Sequence, residues 1–176
     1  MNDLIRTLRS ARLLVAAGAT LIALSTGTSS WAGDGGRKHE NWSWQGPAPA
    51  AGKLAIHGVN GEIVAQPATG NRIEIVADKH GRKQDPSTVE IKVVQDSDGI
   101  SVCAVYPDGG SPCTGRGNMH RNTRNNDVQV DFTVRVPAGL TFDANTVNGA
   151  VRAIGLNGPV RAHTVNGECE IETSQS

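Results

Sequence analysis

The sequence predicts an all-β fold: a β-solenoid, or single-stranded β-helix, with short coils of about 18 residues. Three observations predict it. First, Thr146-Val147-Asn148-Gly149 recurs as Thr164-Val165-Asn166-Gly167, with a half-period turn, Gly155-Leu156-Asn157-Gly158, between them. Second, sliding the chain by 18 residues lays Phe142 on Val160, Ala144 on Ala162, Thr146 on Thr164 and Val151 on Cys169. The polar positions follow, Asp143 meeting Arg161 and Arg152 meeting Glu170, so apolar stacks alternate with opposite charges as stacked strands require. Third, the segments between the motifs alternate apolar and polar residues, and none carries a helical period. A repeat this short cannot bury its own apolar face, so copies must stack. A set of unrelated Asn-Gly hairpins in a β-sandwich is the alternative.

In chain order, residues 1–32 read as a secretory signal peptide. Arg6, Arg9 and Arg12 precede a 12-residue apolar run, residues 13–24, and Ser30-Trp31-Ala32 offers small residues at the cleavage positions. A retained membrane anchor is the competing reading, but a spanning helix needs about 20 apolar residues. Residues 33–52 form an N-terminal linker or cap. Within it, Trp42 and Trp44 share one face of an extended segment, as either a sugar-stacking platform or a cover for an open apolar end. The β-strand-repeat domain occupies residues 53–176. Its first copy, Val59-Asn60-Gly61-Glu62-Ile63, puts Leu54 in the Phe142 position. Val89, Ile91 and Val93 share a strand face, Asp98-Gly99 turns the chain, and residues 100–105 return. Val128, Val130, Phe132, Val134 and Val136 form a second face that ends at Pro137-Ala138-Gly139 and feeds the C-terminal coils. The corners are Asn60-Gly61, Asn148-Gly149, Asn157-Gly158 and Asn166-Gly167, where glycine tolerates positive φ and stacked asparagines can form a ladder.

Cleavage before Gly33 leaves 14 basic and 16 acidic residues, a net charge of about −2. That balance argues against a general binder of nucleic acid or anionic membranes. Disulfides persist in exported proteins. Cys103 and Cys113 flank a turn-rich segment, and closing so short a loop stabilises by roughly 3 kcal/mol. Cys169, in the Val151 position, reads as a buried free thiol, with an intermolecular disulfide as the alternative.

The early Val-Asn-Gly strand, the run Ile100-Ser101-Val102-Cys103-Ala104-Val105-Tyr106-Pro107, the strand from Val130 to Gly139 and the Thr-Val-Asn-Gly coils together resemble the exported adhesin-type β-strand-repeat proteins. That family has no established function. The resemblance runs from about Lys53 to the end and implies a single-chain β-helix in the bacterial envelope, with no catalytic residues to carry over. Members usually continue for several more coils. This chain stops soon after the last Asn-Gly, so either something covers that end or the frame is truncated, and an uncovered coil favours self-association.

Catalytic constellations are not evident. The five histidines are dispersed, without zinc-site spacing. His57 and His163 occupy equivalent coil positions with Asn145 between them, a weak metal site or simply polar residues beside a turn. Asp96 and Asp98 beside Gly99 are read as a turn rather than a calcium loop. Asp143, Arg161, Arg152 and Glu170 lie on the outer face, where polysaccharide lyases place their groups, but pairing across coils explains them. No cofactor or metal is expected. The long polar segment from Pro107 to Asn126 carries Arg116, His120, Arg121 and Arg124 and no acid between Asp108 and Asp127. It is the candidate binding loop, for an anionic glycan or an envelope protein. The expectation is a non-enzymatic periplasmic or surface protein binding through that loop, with no stable membrane insertion after cleavage. The alternative is a structural or accessory envelope subunit, in envelope-stress signalling for instance, and an enzyme acting on polysaccharide is the distant third.

Overall fold

The computed structural model describes residues 36–49, 52–107, 113 and 126–174, all within one compact unit, Gly33–Ser176. The strands are β1 (Lys38–Pro47), β2 (Lys53–His57), β3 (Ile63–Pro67), β4 (Arg72–Gly81), β5 (Glu90–Asp96), β6 (Gly99–Val105), β7 (Gln129–Val136), β8 (Thr141–Asn145), β9 (Val151–Leu156), β10 (Val160–His163) and β11 (Cys169–Thr173). A short 3₁₀ turn, Pro86–Thr88, precedes β5. β1 lies inside the stretch read as linker or cap.

The strands form two mixed sheets, a six-stranded one ordered β1-β4-β7-β3-β9-β11 and a five-stranded one ordered β10-β8-β2-β6-β5. This overturns the expectation of a β-solenoid of successive 18-residue coils. The 18-residue step does occur: β10 lies parallel to β8 with Val160 opposite Phe142, and β11 parallel to β9 with Cys169 opposite Val151. Among the described strands it occurs only in these two pairs and the corners that join them. β2 and β3 sit beside β8 and β9, with Leu54 opposite Phe142 and Ile63 opposite Val151, although the two stretches lie far apart in the chain. On their other sides β2 and β3 pair with β6 and β7. Spatial order therefore departs from chain order. The long strands supply the reason. Ten-residue β1 and β4 pair antiparallel with each other, β4 pairs antiparallel with β7, and β5 with β6. Only β5 and β6 are joined by a tight turn; β1, β4 and β7 pair antiparallel across intervening strands, and these antiparallel strands take sheet positions a coil repeat would have occupied.

One apolar cluster joins both sheets. Ile73, Ile75, Ala77, Val130, Phe132 and Val134 face inward from the six-stranded sheet, and Leu54, Ile56, Val102 and Phe142 from the five-stranded one. Each large side chain buried this way contributes roughly 1.5–3 kcal/mol. Trp42 and Trp44, half-buried, pack against the same cluster from β1. They cover the core at the flank of the six-stranded sheet, and the Trp44 ring lies over Gly46, where no side chain would fit.

Cys169 corrects a second expectation. Its register with Val151 is as read, but the thiol is exposed where Val151 is fully buried. β11 is the edge of its sheet, and all of its residues are exposed.

Candidate functional site

The Asn-Gly corners and the charged pairs of the outer face are structural. Asn148 Nδ2 donates to Asn60 Oδ1 and Asn166 Nδ2 to Asn148 Oδ1, both at 2.8 Å, a ladder down three layers. Asn157-Gly158 belongs to a different corner, its Asn157 carbonyl accepting from the Gly139 amide. Arg152 sits between Glu62 and Glu170, and Asp143 accepts from the Asn145 amide at 2.7 Å. Asp96 Oδ1 accepts from the Asp98 and Gly99 amides and so makes the β5–β6 turn. His57 and His163 both stand opposite Asn145, yet His57 is buried and His163 exposed.

Arg116, His120, Arg121 and Arg124 lie outside the described residues, but the anchors of their segment do not. Cys103, on β6, is bonded to buried Cys113, with 5.8 Å between their Cα atoms. Tyr106, at the end of β6, donates its hydroxyl to the Val128 carbonyl at 2.9 Å, and burial pushes its pKa up. Asp127 takes hydrogen bonds from three consecutive amides, those of Arg82, Lys83 and Gln84. The Gln84 and Lys83 amides, first among its causes, hold the Asp127 carboxyl below its ordinary value. Asn126 Oδ1 accepts from the Val128 amide. The residues that leave the five-stranded sheet and those that enter the six-stranded one are thereby held together.

The convergent polar group that sequence reading missed lies on the outer face of the six-stranded sheet. Antiparallel register sets His39 on β1 opposite His80 on β4, and His80 opposite Gln129 on β7. Asp78 stands opposite Asp131. One donor atom from each of His39, Asp78 and His80 lies within 4.8 Å of the others, the one such grouping among the described residues. His39 Nδ1 is 3.6 Å from Asp78 Oδ1, and His80 Nδ1 is 3.7 Å from Asp131 Oδ2. The two imidazoles stack with centroids 5.7 Å apart. Asp131 Oδ1 is engaged, accepting from the Glu62 amide at 2.8 Å. Beside the cluster, Arg37, Gly81, Arg82, Asp127 and Gln129 line a shallow pocket that shares His80. The Asp78-Lys79-His80 alternation hinted that two ligand types share a strand face. His39 joins them only through the β1–β4 pairing, which no local pattern announces.

No helix among the described residues is long and apolar enough to cross a membrane. No protein-family model matches the chain. No curated protein matches it either. Among solved structures, the chain is similar to a candidate cell adhesion protein from Clostridium sporogenes, with a TM-score of 0.42 and 9% identity over 77% of this chain. It is also similar to a candidate adhesin from Bacteroides fragilis, with a TM-score of 0.34 and 10% identity over 76% of this chain. The chain spans 61% and 63% of the lengths of those two proteins.

Proposed function

We propose that the chain is an exported, non-enzymatic binding protein of the bacterial envelope or cell surface, which contacts an anionic glycan or an envelope protein through the segment carrying Arg116, His120, Arg121 and Arg124. The observation that carries this reading is the anchorage of that segment. The Cys103–Cys113 disulfide, the Tyr106–Val128 hydrogen bond and the Asp127 carboxylate fix its two ends on the sheets. A disulfide also fits an oxidising compartment, in keeping with the export signal read in residues 1–32. Fixing the two ends of a cationic segment lowers the ordering cost of binding. The outer-face groups that a polysaccharide-active enzyme would enlist, Arg152, Glu170 and Asp143, are engaged in cross-strand or neighbouring contacts.

The test is retention of the secreted, oxidised protein on an anionic polysaccharide resin and on intact cells. With Arg116, Arg121 and Arg124 replaced by Ala, we expect elution at clearly lower salt, because each lost cation removes counterion release. Unchanged retention would overturn the reading.

A second reading, a structural subunit that assembles through its edge, is favoured by the exposure of Val165 and Ile171 beside the edge strands β10 and β11.

A further inference from the structure

We propose that His39, Asp78 and His80 form a binding site for a divalent first-row transition ion, zinc foremost, on the outer face of the six-stranded sheet. The inference does not depend on the binding segment proposed above and concerns a different surface.

Three observations carry it. The donors converge because strand alternation points them the same way: Asp78 and His80 are two residues apart on β4, and His39 faces His80 across the β1–β4 pair. Next, two of the three residues carry a buried acceptor with no hydrogen-bond partner, Asp78 Oδ1 and His80 Nδ1. Buried acceptors are ordinarily satisfied, and leaving two of them unpaired costs free energy that a bound cation would recover. Last, the tautomer is set from behind. His80 Nε2 lies 2.8 Å from Gln129 Oε1, which accepts its hydrogen bond and leaves the Nδ1 lone pair available to a metal. Such an outer partner is what metal-bound histidines normally have.

The donor set selects the ion. Two imidazoles and one carboxylate suit zinc and its first-row neighbours, whereas calcium and magnesium take oxygen. Tetrahedral zinc holds its donors about 3.3 Å apart. The present separations are within 4.8 Å, and the side chains of His39 and Asp78 are 44% and 47% exposed, so side-chain rotation can close that difference. Three protein donors leave a coordination position open, and the pocket lined by Arg37 and Arg82 next to His80 would place an anionic group beside it. The competing arrangement pairs protonated imidazoles with Asp78 and Asp131. Its separations of 3.6 and 3.7 Å are too long for hydrogen bonds.

The experiment uses the oxidised mature protein with a histidine-free tag. Zinc is titrated against a chromophoric chelator, and cobalt serves as a spectroscopic substitute. The expected result is one saturable ion per chain, with a cobalt spectrum of nitrogen and oxygen ligation. Substitutions His39→Ala and Asp78→Asn, both at half-exposed side chains, should each weaken binding roughly tenfold or more, and Gln129→Ala by about tenfold without changing stoichiometry. His80→Gln should abolish it, and His163→Ala should leave it unchanged. No saturable binding up to about 1 mM free zinc, a millimolar limit worth only about 4 kcal/mol, would overturn the proposal. So would binding that survives His39→Ala and Asp78→Asn but is lost with His163→Ala or Cys169→Ser.

Discussion

Lys79 is the one buried lysine among the described residues, and its placement explains why a charge interrupts the inward row of β4. Its Nζ lies 2.8 Å from Glu40 on β1 and donates to the Val89 carbonyl at 3.0 Å, tying the sheet flank to the start of β5. The two partners differ in exposure, 5% for the Lys79 side chain and 42% for Glu40. Removing the carboxylate therefore strands a buried cation, whereas removing the lysine leaves a carboxylate that water can reach and one unpaired carbonyl. We expect Glu40→Ala to cost about 2–3 kcal/mol and Lys79→Met about 1–2 kcal/mol, with Glu40→Leu/Lys79→Met together recovering part of the loss. Urea denaturation of the four proteins checks the order, and the reverse order would show that Lys79 keeps its own water. None of this was legible in the sequence. A lysine in an alternating strand reads as an outward residue until the antiparallel neighbour that neutralises it is known.

At the scale of the elements, the corners decide register. Gly149 has φ +147° and its Cα approaches the Gly61 carbonyl so closely that a Cβ would run into it. Gly139, in the turn after β7, has φ +79° with open space around the Cβ position. Both substitutions carry the conformational penalty, but only one carries a backbone collision. Gly139→Ala should cost about 1–2 kcal/mol, and Gly149→Ala at least about 2 kcal/mol more, with loss of the Asn60–Asn148–Asn166 ladder. Thermal melts of the two variants provide the comparison, and equal costs would mean that the layers separate readily at this corner. The corners and the local 18-residue register were legible because Asn-Gly and alternating apolar residues act over short distances. The register of β2 and β3 on β8 and β9 was legible too, through the Val59-Asn60-Gly61 copy that sets Leu54 on Phe142. Their pairing with β6 and β7, and that of β4 with β1 and β7, was not, since each depends on a partner dozens of residues away. The same limit hid His39 from Asp78 and His80.

On the scale of the whole molecule, the two sheets end differently at their two flanks. At one, β1 and β5 close the sheets with antiparallel strands, half-buried tryptophans and the Lys79–Glu40 pair. At the other, β10 and β11 are the edge strands among the described residues, with Ile171 at 46% and Val165 at 57% exposure and the Cys169 thiol open to solvent. Exposed edges of this kind template pairing with another chain. The segment Gly33–Ser176 should therefore associate with rising concentration under reducing conditions, and Ile171→Lys should shift it toward monomer. Light scattering after gel filtration reads this directly, and a strict monomer at every concentration would count against assembly through this edge.

The parallel neighbours of β3 have a consequence for the order of assembly. β3 is flanked on both sides by strands made much later, β7 and β9, so Glu62 meets Asp131 across 69 residues of chain and Asn60 meets Asn148 across 88. A chain emerging from its N-terminus can pair β1 with β4 and close the β5–β6 hairpin early, but β3 must wait unpaired until the last third arrives. Loops that long are slow to close, which places folding in the millisecond-to-second class of non-local β proteins. Until then the polypeptide stays incomplete and threadable, the condition in which a chain passes through a narrow channel.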